Sequence, residues 1–111
     1  FVALVDLRDF RPDVDPAGLA ELVAVLAGAR AVVSNDSGAM HLAGAVGALV
    51  VAIFGATNER RTSPLTRGPG SPAPRILATD VWCRPCMLRE CPIDHRCMTG
   101  ISARDVLDAL A

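Results

Sequence analysis

The 111-residue sequence contains no long hydrophobic run, no lysine and no excess of positive charge. Its longest apolar segment, residues 48–54, is far shorter than the roughly 20 residues of a transmembrane helix, so it does not predict a membrane span. All 11 basic residues are arginine and 12 residues are acidic, which gives a formal net charge of −1. This weakly acidic balance argues against sequence-independent binding of nucleic acid. With 51% hydrophobic residues, the composition instead predicts one folded domain.

The start of the sequence lacks the features of a secretory signal peptide. No charged segment or small-residue cleavage site precedes the apolar residues 1–5. Because the chain opens at Phe1 on residues typical of a core strand, we expect it to be a piece of a longer protein. We therefore treat residues 1–111 as a single, partial domain.

Hydrophobic patterning predicts alternating strands and helices in the first half of the chain. Short β-prone runs at 1–7, 31–34 and 48–54 predict three strands, the last one covered on both faces. A first helix begins with Asp15 as N-cap and Pro16 after it, presents an apolar stripe and ends near Gly28; the stripe is Leu19, Leu22, Val23 and Leu26. A second helix covers 39–46 and ends at Gly47. This βαβαβ order predicts an α/β fold in which the three strands are parallel and helices cover the sheet.

The second half of the chain is less regular. Residues 55–75 are rich in Pro, Gly, Ser, Thr and Arg and predict a long loop, followed by an edge strand at 75–79. A Cys-rich segment occupies 83–97. Ser102 and Asp105 then have the spacing of a capping box before a helix with the apolar stripe Ala103, Val106, Leu107 and Leu110.

Candidate binding residues follow the predicted strands. Parallel strands present their carboxyl ends at one rim, where ligands bind, and the turns there are 6–8, 34–38 and 55–58. Asp36, Ser37 and Gly38 lie where free N–H groups of the next helix favour an anion such as phosphate. An ordinary N-cap turn would use the same residue types, and His41 and Thr57 could likewise be structural.

Two linked motifs resemble one known family. Residues 33–43, Gly47 and residues 50–57 closely resemble the donor-binding motif of glycosyltransferase family 9. The segment with Cys83, Cys86, Cys91 and Cys97 resembles the cysteine-bearing part of its heptosyltransferase II-like members. The family usually has Pro at the positions of Ala39 and Leu49, but the Asp-Ser-Gly and His positions are intact.

The resemblance implies a fold and an activity. Family members have the GT-B architecture, with two Rossmann-like domains facing a cleft, and this chain resembles the later part of the C-terminal domain. The implied reaction is inverting transfer of a heptose or related sugar from an ADP-sugar to a lipid-linked oligosaccharide, the lipopolysaccharide core. It needs no cofactor, and it takes place in the cytoplasm, peripherally at the inner membrane.

The resemblance also implies residue roles. Asp36 would contact the donor sugar or order the turn, and the backbone at Ser37 and Gly38 would hold the diphosphate. His41 would stabilise charge on the leaving ADP, and the substrate-binding set is completed by Ala39, Met40 and Thr57. The general base is expected in the N-terminal domain, so this chain alone should bind donor without turnover.

Arginines and cysteines leave alternatives open. Arg60 and Arg61 are either a solvated pair or contacts to phosphate. The four cysteines could be reduced, metal-bound or disulfide-bonded, and with only one Cys-x-x-Cys turn we expect no metal. Two other functions therefore remain: a stand-alone nucleotide or phosphate-binding module, and an interaction domain that works through metal bound to the Cys-rich segment.

Overall fold

The computed structural model describes the backbone of residues 2–5 and all of residues 18–111. The chain forms a four-stranded sheet, with strand order β1-β2-β3-β4, and five helices within these residues. In chain order the elements are β1 (Val2–Val5), α1 (Leu19–Gly28), β2 (Ala29–Asn35), α2 (Gly38–Ala45), β3 (Leu49–Phe54), α3 (Glu59–Thr62), β4 (Arg75–Ala78), α4 (Arg96–Thr99) and α5 (Ala103–Leu110).

The three strands β2, β3 and β4 are parallel, as the βαβ pattern predicts for β2 and β3. Val50, Val51 and Ala52 are all buried although successive side chains in a strand point to opposite faces. The predicted burial of β3 on both faces is therefore confirmed. One face forms the main core, which comprises Leu26, Val32, Met40, Ala43, Val50, Ala52 and Phe54.

The predicted parallel direction of the first strand is wrong. β1 pairs antiparallel with β2, so that Val2 lies opposite Val33 and Val5 lies opposite Ala29. The carboxyl end of β1 therefore lies at the amino end of β2, away from the rim formed by the other strands. Apolar residues indicate that a strand forms but not its direction, because backbone hydrogen bonds can form between strands that run parallel or antiparallel. Antiparallel strands at the edge of a parallel sheet are common. Residues 6–8, predicted to reach the rim, lie outside the described residues.

Helix α1 confirms the predicted end and part of the predicted stripe. It ends at Gly28 and leads directly into β2. Leu26 is buried and Leu22 packs against the core, whereas Leu19 is exposed. The predicted cap, Asp15 and Pro16, lies outside the described residues.

Helix α2 ends as its glycine predicts. Its C-cap is Val46, and Gly47 follows with a φ of +86°, a conformation that side chains with a Cβ rarely adopt. The N–H of Gly47 donates to the carbonyl oxygen of Gly44 at 3.1 Å. This turn brings the chain back into β3.

The predicted long loop contains the short helix α3, and β4 follows it at the sheet edge. The capping box of α5 is confirmed, with Ser102 and Asp105 hydrogen-bonded reciprocally. Val106 and Leu110 are half-buried on α5 while Ala103 and Leu107 are exposed, so half of the predicted stripe packs inward. The Arg75 guanidinium donates to the Ala111 carbonyl oxygen at 2.6 Å and ties β4 to the end of α5. Among the described helices, none has the length and apolar character needed to cross a bilayer.

Replacing Gly47 with alanine tests the turn after α2. Gly47→Ala should lower the free energy of unfolding by about 1–2 kcal/mol, because a Cβ is unfavourable at positive φ. Urea denaturation measures this difference. Gly28→Ala is the matched control, since a Cβ there meets no atom within 4 Å, and it should be neutral or stabilising. Equal destabilisation by both substitutions would contradict the role of Gly47.

Candidate functional site

The carboxyl ends of β2 and β3 border a cavity of about 200 Å³. Its lining residues are Asn35, Asp36, Ile53, Gly55, Ala56, Thr57 and Met98. Asp36 and Thr57, which follow different strands, therefore share one cavity. Gly55 permits this arrangement, because a Cβ there would lie 2.6 Å from the Met98 sulfur atom.

The N-terminus of α2 lies next to this cavity, and no side chain of residues 18–111 caps its backbone donors. Ser37 is the N-cap, but its side chain makes no capping hydrogen bond; its Oγ instead lies 3.1 Å from the Oγ of Ser34. The first N–H groups of α2 have no partner within the helix. A Cβ at Gly38 would meet nothing within 4 Å, so an anion can approach the backbone closely.

Met40 and His41 are adjacent in α2 but lie in different surroundings. The Met40 side chain is fully buried in the core, so only its backbone N–H can serve a ligand. His41 is exposed and lines a separate cavity of about 390 Å³ with Ala45, Leu65, Thr66 and Arg67. The structure thus brings Asp36 and Thr57 together and leaves the His41 imidazole outside their cavity.

Asp36 is oriented by a residue that the sequence did not single out. The Thr62 hydroxyl, in α3, donates to Oδ2 of Asp36 at 2.9 Å. The contact spans 26 positions of the chain, so no local motif indicates it. α3 itself begins at Asn58, whose side-chain oxygen accepts the N–H of Arg60 at 3.0 Å. Helix α3 therefore holds the carboxylate at the edge of the cavity.

Arg60 and Arg61 also belong to α3. Both side chains are exposed, and neither lines the cavity that contains Asp36. This position matches the interpretation of a solvated pair.

Arg84 is the second residue that sequence reasoning missed. Its side chain is only 9% exposed, and its guanidinium donates from Nε to the carbonyl oxygen of Gly55 at 2.7 Å. Nη2 donates to the Thr57 carbonyl oxygen at 3.1 Å and to Oε2 of Glu59 at 2.7 Å. The hydrogen bond and charge of Arg84 lower the pKa of the Glu59 carboxyl. Arg84 thereby attaches the Cys-rich segment to the turn after β3.

The Cys-rich segment surrounds a larger cavity of about 510 Å³. All four cysteines and His95 are among its lining residues, and all four are free thiols. Hydrogen bonds from the backbone N–H groups of Ile93 and His95 lower the pKa of Cys91. The backbone nitrogen of His95 lies 3.4 Å from the Cys91 Sγ. Across residues 18–111, no three Cys, His, Asp or Glu side chains form a group that could hold a metal ion.

The ion pair between Glu59 and Arg84 predicts an acid dependence of stability. Since the folded pKa of Glu59 is lowered, its contribution is fully present above the ordinary value of 4.5 and is lost as the pH falls through the folded value. Glu59→Gln should therefore flatten the fall in unfolding free energy below that pH. Urea denaturation across the acid range measures it, with Glu90→Gln, an exposed position, as the control. Superimposable profiles for Glu59→Gln and the unsubstituted chain would refute this assignment.

Comparison with known proteins connects the rim to a family. The chain is 35% identical over 77 residues to lipooligosaccharide heptosyltransferase 2 of Campylobacter jejuni, a match that covers 68% of this chain and 23% of the relative. It is 40% identical over 62 residues to the protein of the same name from Haemophilus influenzae, a match that covers 55% of this chain and 18% of that relative. It is 38% identical over 73 residues to lipopolysaccharide heptosyltransferase 1 of Pseudomonas aeruginosa, a match that covers 66% of this chain and 19% of that relative. No solved structure matches the chain.

The chain thus spans less than a quarter of the length of these relatives. The family model described as glycosyltransferase family 9 (heptosyltransferase) matches residues 15–96. This range contains the turn with Asp36, the turn with Thr57 and most of the Cys-rich segment. The match covers most of the chain, and the chain accordingly belongs to glycosyltransferase family 9.

Proposed function

We propose that this chain is the donor-binding part of a glycosyltransferase of GT-B architecture. The longer enzyme would transfer a heptose or related sugar from an ADP-sugar, with inversion, to a lipid-linked oligosaccharide of the lipopolysaccharide core. The names of the relatives support a heptosyl donor and a lipooligosaccharide or lipopolysaccharide acceptor. The observation that carries the proposal is the shared cavity of Asp36 and Thr57 beside the uncapped start of α2.

The diphosphate of the donor would lie at the start of α2. The N–H groups of Gly38, Ala39 and Met40 are the first of the helix, and the helix dipole adds a partial positive charge there. Ser37 would contribute through its backbone or through its hydroxyl, which lies 3.1 Å from the Ser34 hydroxyl. These contacts need no metal, because backbone donors alone can hold a phosphate.

The donor sugar would lie toward Asp36 and Thr57. With Oδ2 of Asp36 already accepting from Thr62, Oδ1 could accept a sugar hydroxyl. Thr57 lines the same cavity from the other strand. Such contacts increase the rate to the extent that they strengthen as the sugar separates from ADP.

His41 would act on the leaving group from outside this cavity. Its imidazole is exposed one turn into α2 and can be approached from solvent. A proton or hydrogen bond from it would stabilise the negative charge that develops on ADP. The general base for the acceptor would come from an N-terminal domain beyond this chain. Residues 1–111 alone should therefore bind the donor without transferring its sugar. The whole enzyme would work at the cytoplasmic face of the inner membrane.

Titration calorimetry with ADP and ADP-heptose tests the donor site. We expect Asp36→Ala to weaken binding of ADP-heptose more than binding of ADP, by about tenfold, because the carboxylate is assigned to the sugar. His41→Ala should weaken binding of both ligands, since both contain the diphosphate. Asp108→Ala on α5, where the carboxylate pairs with exposed Arg104, is the control and should change neither affinity.

A folded protein that contains residues 1–111 and binds neither ligand would contradict the proposal. Binding that survives both site substitutions would move the donor site away from α2. Binding of the nucleotide without any sugar transfer by a longer protein with its N-terminal domain would instead favour a stand-alone nucleotide-binding module.

A further inference from the structure

The turn between β3 and α3 has an unusual pattern of hydrogen bonds. The carbonyl oxygens of Gly55, Ala56 and Thr57 all accept from the Cys-rich segment: Gly55 and Thr57 from Arg84, and Ala56 from the N–H of Met87 at 3.0 Å. Three successive carbonyl groups are therefore held by a segment about 30 residues later in the chain.

This pattern determines where the neighbouring N–H groups point. In a planar trans peptide the N–H of one residue is directed opposite to the carbonyl of the residue before it. Each N–H group of Ala56, Thr57 and Asn58 therefore points away from the donor that binds the carbonyl oxygen of the same peptide group. That donor is Arg84 for Ala56 and Asn58, and Met87 for Thr57. Among residues 2–5 and 18–111 these N–H groups find no hydrogen-bond acceptor.

Their position makes these donors available to a ligand. Ala56 and Thr57 line the cavity that also contains Asp36, next to the start of α2. A carbonyl that accepts a charged hydrogen bond polarises its peptide group and makes the attached N–H a stronger donor. Lysine could not replace Arg84 here, since only a guanidinium offers Nε and Nη2 in a rigid fork to two carbonyl oxygens.

We propose that Arg84 is a positioning residue that turns the Ala56 and Asn58 amides toward the donor diphosphate as a second set of backbone donors, beside the Thr57 amide that Met87 orients. This inference rests on the proposed function, because it takes the diphosphate as the ligand. Arg84 itself does not touch the ligand, since its guanidinium is committed to the two carbonyl oxygens and to Glu59. Its effect is to decide which side of two peptide groups, Gly55–Ala56 and Thr57–Asn58, faces the donor site.

Amide chemical shifts of the unsubstituted chain give the first test. Addition of ADP, and separately of inorganic pyrophosphate, should move the amide signals of Ala56, Thr57 and Asn58 together with those of Gly38 and Ala39. If only the α2 amides move, the proposed function stands and the inference about Arg84 is wrong. If neither set moves, the donor site itself is rejected and the inference with it.

Substitution of Arg84 gives the second test. Arg84→Lys keeps the charge but breaks the fork, and it should weaken binding of ADP about tenfold. Arg89→Lys, at an exposed arginine of the same segment, is the matched control and should leave the affinity within about twofold. Circular dichroism establishes that both variants are folded.

A readout beyond affinity separates positioning from general stability. In Arg84→Lys the shift changes caused by ADP should shrink at Ala56 and Asn58 and persist at Gly38 and Ala39. Full affinity in a folded Arg84→Lys variant, or equal loss of the response at both sets of amides, would overturn the proposal. Should the variant not fold, the shifts of the unsubstituted chain still decide the matter.

Discussion

The hydrogen bonding of β3 to β2 on one side and to β4 on the other is the constraint on which the site depends. Parallel pairing places the ends of β2 and β3 at one rim, and burial of β3 on both faces leaves its register little freedom. A shift by one residue would exchange the environments of Val50 and Val51. It would also displace Gly55 relative to Asp36, so the core determines the geometry of the rim.

The Cys-rich segment donates hydrogen bonds to this rim from residues other than its cysteines. Arg84 and Met87 hold the backbone after β3, while the Cys97 sulfur and Met98, the residue after the segment, lie against Gly55. The thiols line the larger cavity, which shares Ala56 and Met98 with the cavity of Asp36. The sequence draws attention to the four cysteines because they are clustered, yet the hydrogen bonds that reach the candidate site come from the Arg84 side chain and the Met87 backbone.

Much of the fold follows from local patterns in the sequence. The runs at β2 and β3, the glycines after α1 and α2, and the capping box of α5 each encode a local conformation, and the structure has them within one or two residues of the prediction. The predicted direction of β1 is wrong because strand direction depends on pairing between distant segments of the chain. The short helix α3 was missed because its four residues contain no full period of apolar side chains.

The candidate site was predictable to the same extent. Asp36 and Thr57 could be placed at a common rim, because the ends of parallel strands meet there. The separate cavity of His41 depends on the loop that packs beside α2, which carries no pattern of its own. The contacts of Thr62 with Asp36 and of Arg84 with Glu59 join residues 25 or 26 positions apart, a relation that only the tertiary structure reveals.

The reach of Arg84 back to Gly55 also bears on the order in which the chain folds. That contact closes a loop of 29 residues, whereas β2 and β3 are joined by the short crossover through α2. Closing the longer loop costs more chain entropy, so the sheet centre should form first and the turn after β3 should become ordered last. During folding, the sheet would then be nearly complete before the backbone of the turn after β3 becomes ordered. The rim of the candidate site would be the last part of the domain to reach its native conformation.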